Sequence, residues 1–534
     1  MKRLLVLATV ATMAVLGAAG CSGDGGSSSG GGSGSTGGGS GSTGGGSGST
    51  GGGTGSTGGG SGSTGGGSGS TGGGSGSTGG GSGSTGGGSG STGGGSGSTG
   101  GGSGSTGGGS GSTGGGTDGS SGGGMGGGNA AYDAGWLDVA FGDAGSRVND
   151  FGCSGGAAVD SLSALVYAGD AGLFAAGSGC TDTALAIMHL DENTGAPKSD
   201  IWDGGIFFLP SSQGTQKVVG ATTMGNSLIL TGVLDTGMGG PKAVGLLKLN
   251  FATGFIDTNY NAMSTITAGG ATARASFAQG TSMVVVGDAV LDDGGTSGFV
   301  ARFAPNGDLD TTFADAGVYF DYGAATASGG ASLPNGLVVV GAAATATGSS
   351  ATVNRVLDAG QPDITFGTNG QYKSSPSGAD LFISAAVQPD GKVVVGGYSI
   401  PNLAQPTKAK SLVARLNSNG TLDSTFGTSG RVELDLVSGL EAVSQVSIDA
   451  SGKVVAVVAT EVSGQNANVY LLRFTGAGAL DTTFGNGGGQ SVPAVSAKLG
   501  MDFTGLPVMA TTPGGYCLGT TTTDDDFRVT RFHE

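Results

Sequence analysis

One carboxylate recurs between residues 138 and 481 of this sequence in a fixed setting. It is Asp138 in Leu137-Asp138-Val139-Ala140-Phe141-Gly142, then Asp257 before Tyr260, Asp310 before Phe313, Asp363 before Phe366, Asp423 before Phe426 and Asp481 before Phe484. Arg302, Arg355, Arg415 and Arg473 each stand eight residues ahead of such an Asp. Arg531 lies in the last apolar segment with no motif after it. An Asp at this kind of position can accept from the backbone N–H two residues on, forming an Asx turn. A strand, a tight turn and a return would also bring it to the arginine as an ion pair. A pair needed in every repeat is expected to build the repeat. The alternative is a ring of basic groups, His189, Lys248 and the five arginines, facing a common channel and attracting an anion. The mixture of side chains would make that ring uneven. The repeated aromatic residue reads as core.

Other chemistry is sparse. The motifs of a nucleophile elbow, a His-Glu-x-x-His zinc site and a Walker loop are missing from the sequence. No catalytic residue, cofactor or metal site is therefore assigned. Two histidines make a His-built metal centre a poor expectation. Asp292-Asp293 and Asp524-Asp525-Asp526 supply hard oxygen ligands but lack the Asp-x-Asp-x-Asp-Gly spacing of a calcium loop, and read as solvated loops. Paired carboxylates of a glycosidase could still converge from separate loops. Cys153 and Cys180 flank a predicted hairpin and are paired as a disulfide. Cys517, inside a predicted strand, is expected as a buried free thiol.

The elements that must position these residues begin after a long preamble. Residues 1–20 read as an export signal: Lys2 and Arg3, an apolar run Leu4 to Leu16, then small residues up to Cys21. Ala19-Gly20-Cys21 resembles a lipobox, which implies lipid attachment to Cys21. Ser22 in place of an Asp implies the outer membrane. Residues 21–128 are a Gly/Ser/Thr tract, with twelve heptads of Gly-Gly-Gly-Ser-Gly-Ser-Thr from Gly30 to Thr113 and Thr54 the one substitution. Such a chain buries nothing apolar to offset its conformational entropy, so a disordered tether is expected. The period of seven excludes collagen. The net charge of -17 and the absence of a basic run beyond the signal argue against nucleic acid as a partner.

Residues 129–534 form one domain by their internal period. The aromatic positions 141, 202, 260, 313, 366, 426 and 484 define seven units of about 53–61 residues, with Asp200-Ile201-Trp202 as a worn copy. Within each unit a turn such as Pro389-Asp390-Gly391-Lys392 precedes a β-branched run, then a loop, then the basic strand. About four short strands per unit describe an all-β, seven-bladed β-propeller. The motif at Leu137–Gly142 lacks a basic strand before it, and Phe527–Phe532 lacks a motif after it. The ends are complementary halves of one blade and are expected to close the ring, where an open β-solenoid would need no such match.

These residues carry a resemblance. Gln388-Pro389-Asp390-Gly391-Lys392, Ala414-Arg415-Leu416-Asn417 and Leu422 to Gly427 resemble the bacterial delta-60 repeat over nearly its whole consensus. The resemblance is strong from Ala301 onward and weak between Ala158 and Asn261. It implies a β-propeller and supplies no activity. The expected function is a lipid-anchored, surface-exposed, monomeric propeller that binds a protein, glycan or small ligand through variable loops such as 400–410, 291–298 and 461–468. A structural role in the envelope and a carbohydrate-active enzyme are the alternatives.

Overall fold

A computed structural model describes residues 135–534, apart from 152–159, 180–183, 211–215, 235–241, 261–262, 322–325, 377, 462–466, 496–505 and 523–525, and the backbone of the strands between Ser27 and Gly114. Contacts divide the chain into two units, Met1–Ala130 and Ala131–Glu534.

The second unit is built of β-strands, with 3₁₀ turns at Gly169–Ala171 and Asp203–Gly205 and no α-helix among the described residues. The β-branched runs form the second strand of each sheet. Val393–Ile400 and Val454–Glu461 are buried on both faces, which is why they read as continuous apolar runs and not as alternating ones. Seven strands form the inner layer: Ser161–Tyr167 (β1), Gln216–Met224 (β2), Ala271–Gln279 (β3), Thr326–Leu333 (β4), Ala379–Val387 (β5), Leu440–Ile448 (β6) and Val508–Thr512 (β7). Each inner strand touches the next, and β7 touches β1. The architecture is a β-propeller.

Five sheets are separate four-stranded blades, not the expected seven. The strands between Thr326 and Leu434 share one eight-stranded sheet instead. The join is a single parallel pair, Ser349 opposite Ala379. It forms because two glycines let the backbones approach: a Cβ on Gly348 would lie 2.4 Å from the Gly378 carbonyl oxygen.

The ends meet. Ser146–Asn149 pairs antiparallel with Phe527–His533, Ser146 opposite Thr530 and Asn149 opposite Phe527, and Leu137 bridges Phe532. The first strand thereby completes the sheet whose other strands come from the C-terminus and covers the edge of Phe527–His533.

Between Ser27 and Gly114 the described backbone forms strands of four or five residues in two parallel sheets. Each heptad gives one strand and pairs with the heptad fourteen residues on, as Ser75 does with Ser89. Identical heptads place identical residues opposite one another, and every peptide group is free to enter a ladder. The heptad holds no apolar side chain, so main-chain hydrogen bonds alone set the register, and a slip of fourteen residues restores the same pairing.

Candidate functional site in the central channel

The recurring charged residues meet at the end of the third strand of each sheet. Arg302 Nε donates to Asp310 Oδ2 at 2.8 Å, and the Arg415–Asp423 and Arg473–Asp481 pairs repeat that distance. Arg355 and Asp363 approach to 3.2 Å, Lys248 and Asp257 to 3.2 Å, and His189 and Asp200 to 3.5 Å. Arg531 pairs with Asp138 across the chain junction. The other carboxylate oxygen makes the Asx turn: Asp423 Oδ1 accepts from the Thr425 amide at 3.0 Å and the Thr425 hydroxyl at 2.6 Å. Asp310, Asp363 and Asp481 do the same with Thr312, Thr365 and Thr483. The guanidinium then lies over the motif ring, 4.6 Å above Phe313, 4.7 Å above Phe426 and 4.5 Å above Phe484. The turn lysine reaches the same acid, Lys453 at 2.7 Å from Asp481 and Lys392 at 3.4 Å from Asp423.

These contacts fix the ionisation. Burial alone would raise the Asp423 carboxyl, but the Thr425 hydroxyl and amide, then Arg415 and Lys392, outweigh it and hold it down to about 2. Asp310 and Asp363 are also held low, chiefly by the hydroxyls of Thr312 and Thr365.

The aromatic residues lock neighbouring sheets together. Phe141, Phe313, Phe366, Phe426 and Phe484 are fully buried and Tyr260 nearly so. Phe426 packs among Val394 and Val413 of its own sheet and Val443 and Val454 of the next. The following Gly427 amide donates to Ala477 O of the next unit at 2.8 Å. Trp202 fills the worn position, its indole N–H donating to Gly254 O at 3.0 Å. At the junction Gly135 takes the same seat against Phe484, with φ of +83° and a would-be Cβ 2.6 Å from the Gly485 amide.

The alternative of basic groups ringing the channel is corrected. None of His189, Lys248, Arg302, Arg355, Arg415, Arg473 and Arg531 borders the channel cavity. Each sits on the third or last strand of its sheet, opposite a carboxylate that attracts it more strongly at short range than open solvent would.

The channel itself is built by a feature the sequence analysis missed. Six inner strands carry an irregularity at the same place, where the register with the second strand slips by one residue: at Ser163, Val219, Arg274, Ser328, Ile383 and Ser444. A bulge bends its strand and re-aims the extra residue. All six border a cavity of about 460 Å³ enclosed by the inner strands. The bulged position is Ser in three units and Val, Arg or Ile in the other three, whereas the knots around it repeat. Lys217 and Arg274 are the charged residues that border the cavity. Arg274 also pairs with Asp288 on the second strand of its sheet.

Other expectations fall elsewhere. Cys21, Cys153 and Cys180 lie outside the described residues, as do Asp524 and Asp525 and the centre of the 461–468 loop. Cys517 is a buried free thiol whose pKa burial pushes up to about 12, which makes it inert at neutral pH. Loops 291–298 and 400–410 both join a second strand to a third. Asp526, of the acidic run already noted, is joined by two residues the sequence did not single out: carboxylate oxygens of Asp150, Asp160 and Asp526 lie within 4.8 Å of one another.

Three segments carry a known propeller repeat. Residues 282–313, 388–426 and 450–484 match a family model described as a domain of unknown function (DUF5122) beta-propeller. No curated protein matches the chain. Among solved structures, YjhT is 12% identical, covering 59% of this chain and 95% of its own, with a TM-score of 0.36. The aldose sugar dehydrogenase of Escherichia coli is 14% identical, covering 60% and 97%, at 0.32. The α-L-arabinofuranosidase Arb93A of Fusarium graminearum is 12% identical, covering 58% and 91%, at 0.35. At these identities and scores they carry no functional argument.

Proposed function

We propose that this protein is a non-catalytic binding module, lipidated at Cys21, held at the outer membrane and displayed at the cell surface by residues 21–128. The observation that carries the binding reading is the division of labour within each repeat. The charged and aromatic residues that recur are spent on the knots, while the bulged position facing the channel changes from Ser to Val, Arg or Ile. A constant frame with a variable lining is what recognition on a rigid scaffold requires. We also count the eight-stranded sheet as two blades, because one residue pair joins its halves, giving a seven-bladed ring closed by both ends of the domain. Cryo-electron or X-ray maps of the protein would test that count directly.

Two experiments test the functional reading. Mass spectrometry of the membrane-extracted protein should find a diacylglycerol-modified Cys21 as the mature N-terminus, and Cys21→Ser should release the protein from the membrane. The purified full chain, screened against sugars, sugar acids and envelope proteins, should retain a ligand without turning it over. Product release would replace the reading with an enzymatic one. A stoichiometric envelope partner, with no soluble ligand retained, would replace it with a structural one.

A further inference from the structure

The charge lining the channel runs against the charge of the molecule. Residues 129–534 hold 36 acidic and 19 basic side chains. Yet among the described residues bordering the cavity the charged groups are Lys217 and Arg274, and no carboxylate joins them. They stand on adjacent inner strands, β2 and β3.

We infer that the channel is a binding site for a small anionic, hydroxyl-bearing molecule, of the class of sugar acids and sugar phosphates, whose oxyanion sits between Lys217 and Arg274. This deepens the binding reading above and rests on it.

Three further features support the site. First, Arg274 is held in position. It is the bulged residue of β3, its Nε donates to Asp288 Oδ2, and Asp288 Oδ1 in turn accepts from the Ala327 amide of β4 at 3.2 Å. With Nε committed, the two terminal nitrogens of the guanidinium remain as donors, in the planar fork that suits a carboxylate or phosphate. Second, Lys217 borders the cavity and makes no ion pair among the described residues, which leaves its ammonium available to an anion. Third, Ser276, on the same strand as Arg274, borders the same cavity and adds a small polar side chain to its wall. At about 460 Å³ the cavity falls in the range of small-ligand sites and holds roughly one or two sugar rings.

The test uses isothermal titration of the full chain with D-glucuronate, glucose 6-phosphate, glucose and glucosamine. The expected result is binding of at least one anion and of neither neutral nor cationic sugar, weakened several-fold between 50 and 300 mM salt, by roughly the screening expected of a partly buried pair. The glucuronate and phosphate arms separate the carboxylate from the phosphate source. Lys217→Met should weaken the anion at least fivefold with an unchanged melting profile. Val219→Lys, which adds a cation at the neighbouring bulge, should tighten it. Equal binding of glucose, no binding of either anion, or anion binding that Lys217→Met leaves intact would each overturn the proposal. A different ligand, retained equally by wild type and Lys217→Met, would remove the channel site and leave the binding-module reading standing. Turnover of any probe would remove both.

Discussion

Neutralising Asp423 isolates the energy that one knot gives the fold. In Asp423→Asn the side chain keeps its shape and its Oδ1 bond to Thr425, but the charge facing Arg415 and Lys392 is gone. Asparagine stands in for a protonated carboxyl, so the cost at neutral pH equals the energy of holding the carboxylate ionised. The carboxyl falls from an ordinary 3.8 to about 2. At about 1.36 kcal/mol for each factor of ten in proton affinity this is roughly 2 kcal/mol. Both partners are nearly buried, with side chains 6% and 5% exposed, so solvent screening takes little from that figure. The sign follows from linkage. A depressed folded-state pKa gives stability that is present above about pH 4 and is lost as pH falls through about 2. The variant should therefore lose about 2 kcal/mol at pH 7 and roughly half of that at pH 3. Urea unfolding gives the global value. Hydrogen exchange at the Thr425 and Phe426 amides gives the local one, which matters because a repeat protein can open unit by unit. A loss below about 0.5 kcal/mol at pH 7 would refute the ionic account. So would a loss equal at pH 7 and pH 3, since packing alone does not titrate.

Three further outcomes are expected. Gly420→Ala should cost more than about 2 kcal/mol in urea unfolding, because φ is +82° and the new Cβ would sit 2.5 Å from the Gly367 amide, whereas Gly391→Ala, with the same φ and only Ser418 Cβ at 3.5 Å, should cost about 1. Equal costs would show that the inter-unit seat contributes nothing. Deleting residues 131–150 strips the partner from Phe527–His533 and exposes a strand edge, so light scattering after size exclusion should show oligomers or aggregates; a stable monomer would contradict closure by pairing of the ends. Amides of the 27–114 sheets should exchange far faster than those of the inner propeller strands, since no apolar side chain shields them; comparable protection by exchange mass spectrometry would disprove that.

Much of this protein was legible as a sequence because its information is repeated. The Asp, the arginine eight residues before it and the aromatic three residues after it recur, and recurrence alone assigned them to the frame. Their contact also followed from local geometry, since a strand, a turn and a return of fixed length leave few ways to place two side chains. Complementary ends predicted closure because an unfinished repeat at each terminus has only the other to pair with. What the sequence by itself could not determine depended on contacts between repeats. Whether neighbouring sheets stay separate turned on one backbone pair at Ser349 and Ala379, admitted by two glycines that look like any others in a chain with 124 of them. Ladder formation in the Gly/Ser/Thr tract depends on stacking many equal heptads, which no single heptad reveals. The channel lining was hidden for the same kind of reason. A bulge is a register slip between two strands, so Arg274 and Lys217 became neighbours of one cavity only when six such slips were assembled around one axis.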